Sequence, residues 1–169
     1  MTQPQNFPRA FPLLLLVLLA ACGGSNVPVP ADSALAQGEA LVRVGDISVR
    51  ASPVQTPMLN PAVAQQYGIT RADNTILLLV AVRQGSEASE TSLPARITAS
   101  ATDLRGHKQA IAMREVRTGD PASGGGHVLI DYIGTFETAL PETLRFDVKA
   151  VRDGRAVATL QFNREFYPR

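Results

Sequence analysis

Residues 145–162, with the sequence RFDVKAVRDGRAVATLQF, decide the fold of this chain. Phe146, Val148 and Ala150 alternate with charged residues, which is the pattern of a half-buried strand. Asp153-Gly154 has the composition of a two-residue type I′ turn. After the turn, a second set of apolar residues occupies alternate positions: Ala156, Ala158, Leu160 and Phe162. The stretch therefore predicts a long antiparallel hairpin with one apolar face.

Other strand patterns precede this hairpin. Residues 41–44 and 47–50 flank Gly45-Asp46, which is a second hairpin signal. Residues 75–82, TILLLVAV, are apolar on both faces and predict a central strand that is covered on both sides. The segments between this strand and the final hairpin are predicted to be a polar loop at 85–93, a strand at 96–102, a turn at 103–106, a strand at 109–117, a glycine-rich loop at 119–126 and a strand at 128–132.

One short helix is predicted over residues 60–68. Asn60 can cap it, Pro61 suits its first position and Gly68 suits its end. About 7–8 short strands joined mostly by short turns indicate an all-β protein. The predicted fold is therefore an antiparallel immunoglobulin-like β-sandwich over residues 39–169.

Residues 1–21 have the features of a bacterial signal peptide. Arg9 supplies the positive charge, and the apolar run over 11–21 is too short for the roughly 20 residues that span a bilayer. Leu19-Ala20-Ala21-Cys22 resembles a lipobox, and Cys22 is the only cysteine of the chain. We therefore expect lipid on Cys22, because an unpaired exported thiol would be open to oxidation. Residues 22–38, rich in Gly, Pro, Ser and Ala, are predicted to be a lipidated tether.

Charge excludes some partners of the exported part. Arg9 is the only charged residue of the leader, so 15 basic and 15 acidic residues remain after it. A net charge of zero without a basic run argues against nucleic acid and against electrostatic membrane binding. By resemblance to lipoproteins of Gram-negative bacteria, Gly23 after the cysteine favours the periplasmic face of the outer membrane.

The sequence offers little chemistry. The candidates for a ligand or metal site are His107, His127 and Asp131. A metal site normally needs three or four ligands in a fixed arrangement. We therefore expect both histidines to be exposed residues at the edges of loops. Neither a nucleophile elbow nor a phosphate-binding glycine loop is present. No cofactor is predicted. A hydrolase would need carboxylates such as Asp131, Asp147 and Glu165 to converge in the fold.

Four residues are candidates for contact with a protein partner. Tyr67 closes the predicted helix, and Arg114 begins a charged strand end. Phe166 and Tyr167 belong to an aromatic C-terminal end, which can add to a partner as a strand or pack as the last strand of the core. Packing is favoured because Phe162 continues the even-numbered apolar face.

These segments, in their order, resemble the bacterial envelope proteins grouped as domain of unknown function 4426. The matching motifs are Tyr67-Gly68, Leu104-Arg105-Gly106, Arg114-Glu115-Val116 and Phe166-Tyr167-Pro168, and the resemblance covers roughly residues 39–169. It implies a small exported β domain and implies nothing about catalysis. The lipobox and the loop at 85–93 depart from the family pattern.

Together these features predict a non-enzymatic, membrane-anchored lipoprotein that binds an envelope protein or assists its assembly. One alternative is a periplasmic domain that binds a small ligand or metal, and a second is a hydrolase. No sequence pattern specifies an oligomeric state.

Overall fold

The computed structural model describes residues 38–86, 89–119 and 128–169, which form a two-layer β-structure. Within these ranges lie a 3-10 turn at Thr56–Met58, one α-helix, α1, at Pro61–Gln66, and ten strands: β1 (Ala40–Val44), β2 (Ile47–Gln55), β3 (Thr75–Gln84), β4 (Thr91–Ser92), β5 (Arg96–Thr102), β6 (Lys108–Ile111), β7 (Arg114–Thr118), β8 (Leu129–Glu137), β9 (Glu142–Arg152) and β10 (Arg155–Phe166). The predicted signal peptide, Cys22, most of the tether and His127 lie outside the described residues.

The strands form two antiparallel sheets with immunoglobulin topology. The first sheet has the order β1-β2-β3-β8-β7, with β4 pairing the end of β3, and the second has the order β10-β9-β5-β6. In chain order, β2-β3-β8-β7 correspond to strands A-B-E-D of an immunoglobulin domain and β10-β9-β5-β6 to G-F-C-C′. The predicted sandwich is therefore confirmed. Eight strands make up this frame, and β1 and β4 are additions to the first sheet.

A cluster of four phenylalanines lies in the apolar core between the sheets. Phe146 of β9 is fully buried and stacks on Phe162 of β10, with ring centroids 5.1 Å apart. Its edge contacts are with Phe136 of β8 at 6.0 Å and with Phe166 at 6.3 Å. Because Phe136 belongs to the first sheet and the other three to the second, these contacts join the two layers.

Strand β3 is the central strand that the apolar run predicts. It pairs with β2 on one side and with β8 on the other. Its inward-facing side chains are fully buried, and its opposite face is covered as well, since Leu77 and Ala81 are also buried. This burial on both faces accounts for the lack of polar alternation over 75–82.

The hairpin β9–β10 confirms the predicted turn, but one residue after the turn lies on the opposite face from the one predicted. Asp153 and Gly154 both have positive φ, at 50° and 75°, as a type I′ turn requires. A bulge between Ala156 and Ala158 shifts the pairing with β9. The extra residue reverses the alternation, so Ala156 is exposed and was wrongly predicted to lie on the apolar face.

The predicted single strand over 109–117 is wrong, because the chain changes sheets within it. Strand β6 pairs with β5 in the second sheet, and β7 pairs with β8 in the first. The crossing at Ala112 passes directly over Gly134 of β8. A Cβ atom at Gly134 would lie only 2.7 Å from the Ala112 carbonyl oxygen and 2.7 Å from Ile111 Cγ2. The glycine is what lets the crossover lie this close to β8.

The predicted polar loop at 85–93 is fastened to the first sheet at its end. Its residues 91–92 form β4, and Leu93 is buried in the core. The Glu90 carboxylate accepts hydrogen bonds from Arg50 Nη1 at 2.6 Å and Nη2 at 2.8 Å, and from Ser48 Oγ at 3.2 Å. The Arg50 guanidinium chiefly holds the pKa of Glu90 below its usual value. These contacts pin the returning loop to β2.

No α-helix in the three described ranges has the length and apolar composition needed to cross a membrane.

The Gly134 contact predicts that two glycine-to-alanine variants lose unequal amounts of stability. Gly134→Ala should lower the free energy of unfolding by about 3 kcal/mol, because the new methyl group meets backbone that can move only with the crossover. Gly45→Ala is the control: it has positive φ but no atom within 4 Å, so about 1 kcal/mol is expected. Urea unfolding followed by circular dichroism suits a chain without tryptophan. Equal losses would contradict the steric explanation.

Candidate functional site

The structure brings together Tyr67 and Arg114, two of the predicted partner-binding residues. Tyr67 caps the C-terminal end of α1, and Arg114 begins β7. Arg114 Nη2 donates a hydrogen bond to the Tyr67 carbonyl oxygen, and the Tyr67 hydroxyl lies 3.2 Å from Thr118 Oγ1. The carbonyl oxygen and the hydroxyl of Tyr67 therefore both hold α1 against β7, the edge strand of the first sheet.

Local sequence explains how Tyr67 reaches this position. The Asn60 side chain accepts a hydrogen bond from the Ala62 N–H at 2.9 Å and so starts the helix. Gly68 ends it with a φ of +61°. The cleft beside this contact is small, about 150 Å³. We regard the Tyr67–Arg114 contact as a structural junction.

A second pair of segments meets at the far end of the G-F-C-C′ sheet. Two adjoining clefts of about 270 Å³ and 360 Å³ share Leu104 and Thr143. We call this region the Leu104–Tyr167 cleft, and its other lining residues are Thr102, Asp103, Gly106, Pro141, Glu142, Arg145, Asn163, Glu165 and Phe166. Leu104 is 78% exposed and Tyr167 is 61% exposed. Among the described residues these are the two most exposed large apolar side chains.

The turn between β5 and β6 holds Leu104 outward. Asp103 Oδ1 accepts hydrogen bonds from the backbone N–H groups of Arg105 at 2.9 Å and His107 at 2.8 Å. Asp103 Oδ2 lies 3.0 Å from His107 Nδ1. The His107 N–H is the main cause of the lowered pKa of Asp103. The Asp103 carboxylate therefore fixes the turn by binding the backbone amides of Arg105 and His107, and Leu104 projects from this fixed turn.

Tyr167 is fixed from two directions. Its hydroxyl donates a hydrogen bond to Glu165 Oε2 at 2.7 Å, and its carbonyl oxygen accepts one from Gln55 Nε2 at 2.8 Å. Phe166, the preceding residue, is only 5% exposed and packs against Phe146. Its ring therefore packs in the core, as the even-numbered apolar face indicates, and is not exposed for contact with a partner. Its burial anchors the exposed Tyr167 beside it.

The histidine and aspartate candidates do not form one site. His107 lines a cleft of about 230 Å³ together with Glu137, at the end of β8. Asp131 lies six residues earlier on β8, about 20 Å away along the strand. Asp131 Oδ1 is also bound to Arg83 Nη2 at 2.5 Å. His107 and Asp131 therefore lie at different places, one in the turn between β5 and β6 and the other on β8 of the first sheet, and His127 lies outside the described residues.

The carboxylates considered for a hydrolase are each engaged separately. Asp147 accepts a hydrogen bond from Gln161 at 2.5 Å, Glu165 accepts one from Tyr167, and Asp131 binds Arg83. Asp147 and Glu165 are four residue pairs apart in the β9–β10 ladder, which is about 13 Å. Within the described parts of the chain, no group of three or more His, Cys, Asp or Glu side chains is placed to hold a metal ion.

Leu104 is an exposed apolar residue of the cleft that was not among the candidates from sequence. Its signal was present, since an exposed leucine in the turn Asp103-Leu104-Arg105-Gly106 has no core to fill. Gln55 was also missed, because a single buried polar residue at a strand end has no pattern of its own.

Comparisons with known proteins agree on one family. A family model for the domain of unknown function DUF4426 matches residues 41–169. A crystal structure of a DUF4426 family protein from Pseudomonas aeruginosa PAO1 is similar, with a TM-score of 0.58 and 27% sequence identity over 79% of this chain and 98% of that chain. A search of curated proteins finds no match.

The Glu165 contact predicts the titration of Tyr167. The Glu165 carboxylate accepts the phenol hydrogen bond and repels the phenolate, which raises the pKa of Tyr167. Glu165→Gln removes the negative charge, so the pKa of Tyr167 should fall. Carbon-13 NMR of the labelled tyrosine rings between pH 8 and 12 measures this value. Tyr132, whose pKa is raised chiefly by burial, is the internal control and should not move. An unchanged Tyr167 would show that the contact is not kept in solution.

Proposed function

The chain belongs to the DUF4426 family. From its leader, from Cys22 and from one exposed cleft of its β-sandwich, we propose that it is a lipid-anchored, non-enzymatic accessory of the cell envelope. Its β-sandwich binds another envelope protein through the Leu104–Tyr167 cleft. The observation that carries this proposal is the pair of exposed apolar side chains beside an open cleft, Leu104 on a hydrogen-bonded turn and Tyr167 held by hydrogen bonds to Glu165 and Gln55.

The chemistry of the cleft suits a protein surface. An exposed leucine and an exposed tyrosine provide an apolar contact with a polar tip, and aromatic anchors are enriched at binding hot spots. Arg145, Asn163 and Glu165 surround them with donors and acceptors for a polar periphery. Because the Tyr167 hydroxyl and the backbone of the Leu104 turn are already held by hydrogen bonds, less conformational entropy is lost on binding. The partner would insert an apolar side chain between Leu104 and Tyr167.

The membrane address rests on the leader and on Cys22. An apolar run that ends in Leu-Ala-Ala-Cys supports processing as a lipoprotein. Two acyl chains supply stable anchoring without a basic surface, which agrees with the balanced charge of the domain. The Gly- and Pro-containing residues 22–38 then connect the lipid to β1. This arrangement restricts the proposed partner to proteins within reach of the membrane.

The partner proposal is tested by site-specific crosslinking in living cells. A photoreactive amino acid at position 104 should form one discrete adduct with an envelope protein, identified by mass spectrometry. Tyr167→Ala should weaken that adduct at least tenfold, since burying such a side chain contributes about 1.5–3 kcal/mol. Position 129 is the matched control, because Leu129 is an exposed leucine of the first sheet. Identical adducts from both positions, or none from position 104, would contradict the proposed surface.

The anchor is tested separately with Cys22→Ser. The wild-type chain should incorporate labelled palmitate and sediment with membranes. The variant should lose the label and leave the membrane fraction, because no other cysteine is available. A leader fused to an unrelated reporter, with and without Cys22, controls for effects of the domain. Label that persists in Cys22→Ser would contradict the assignment.

A further inference from the structure

Arg164 is a charged residue on the inner face of the sandwich. It lies on β10 between Phe162 and Phe166, at an even position of the same alternation, and both phenylalanines are buried core residues. Its Nε and Nη2 atoms are buried. Neither has a hydrogen-bond partner among the residues that the structure describes. A cation directed toward an aromatic core without a counter-charge is an incomplete arrangement.

The two atoms without partners form one recognition edge. Nε and Nη2 lie on the same side of the guanidinium, and their N–H groups are spaced to meet both oxygens of a carboxylate. Two other arginines show the pairing that Arg164 lacks, since Arg50 binds Glu90 and Arg83 binds Asp131. Arg164 as a whole is half-buried, but polar atoms that are buried without a hydrogen-bond partner, as Nε and Nη2 are, carry a desolvation cost. We propose that the Nε–Nη2 edge of Arg164 is a carboxylate-binding site.

Gly38 marks where a carboxylate would approach. A Cβ atom at Gly38 would lie 3.8 Å from Arg164 Nη2, so the backbone that leads into β1 borders the site. The acidic side chains nearest in sequence are already engaged. Glu39 lies 3.5 Å from Arg50 Nε, and Glu165 accepts the Tyr167 hydroxyl. The carboxylate must therefore come from outside this corner of the domain.

Two sources supply the same chemistry. Asp32 is the only carboxylate side chain in residues 1–37, and the six residue-to-residue steps from it to Gly38 can span about 20 Å. A separate molecule, such as an acidic peptide, is the other source. Either one would complete Arg164 at the point where the chain enters the domain. The site is independent of the Leu104–Tyr167 cleft and of the proposed partner.

The test uses the full-length chain in detergent, with nitrogen-15 NMR of the Arg164 Nε–H and thermal unfolding by circular dichroism. Asp32→Asn, Arg164→Met and the double variant form one cycle. Sodium acetate at 100 mM, against sodium chloride of equal ionic strength, probes an external carboxylate. Asn26→Ala is the control for a change elsewhere before Gly38. The NMR readout on wild type and Asp32→Asn keeps the test valid if Arg164→Met does not fold.

Two results support the site and identify its source. If Asp32 is the partner, Asp32→Asn should shift the Nε–H resonance, and its effect on Tm should vanish in the Arg164→Met background. If the carboxylate is external, acetate should shift the resonance and raise the wild-type Tm by about 3 °C, with no effect on Arg164→Met. A resonance that neither Asp32→Asn nor acetate moves would overturn the proposal.

Discussion

The rings around Phe146 form the aromatic part of the core on which contact between the two sheets depends. Many immunoglobulin domains join their sheets with a disulfide packed on a tryptophan. This chain has no tryptophan, and its only cysteine precedes the domain. Phe136 is the ring that crosses from the first sheet, and it meets Phe146 edge-on at 6.0 Å. Stacked and edge-to-face pairs of this kind add to the stabilisation from buried area alone. The aromatic cluster thus takes the central position that a disulfide occupies elsewhere.

The four motifs that carry the family resemblance meet as two pairs in the folded domain. Tyr67-Gly68 contacts the start of Arg114-Glu115-Val116 through the Arg114 hydrogen bond. Leu104 and Tyr167, from the other two motifs, line one cleft. In the first pair, the Tyr67 and Arg114 hydrogen bonds hold α1 in place. In the second pair, the apolar side chains of Leu104 and Tyr167 are exposed to solvent. This contrast in exposure is why we assign binding to the second pair.

Sequence was informative where one residue type determines a local conformation. Asp153-Gly154 specified its hairpin, and the apolar run of β3 specified a strand covered on both faces. The change of sheet between β6 and β7 was hidden, because neither a proline nor a glycine marks it and the steric reason lies on another strand, at Gly134. The bulge beside Ala156 was hidden for a similar reason. The Leu104–Tyr167 cleft required the fold, since its two anchors are 63 positions apart in the chain.

The closeness of Gly38 and Arg164 has a consequence for how the domain joins other polypeptides. The chain enters β1 and leaves β10 at one corner, and the Tyr167 carbonyl is tied to Gln55 of β2 nearby. A unit whose two ends share a corner can be inserted into a surface loop of a host protein without forcing the loop apart. The sandwich is therefore suited to insertion into another protein through both of its ends, as well as to attachment through one end.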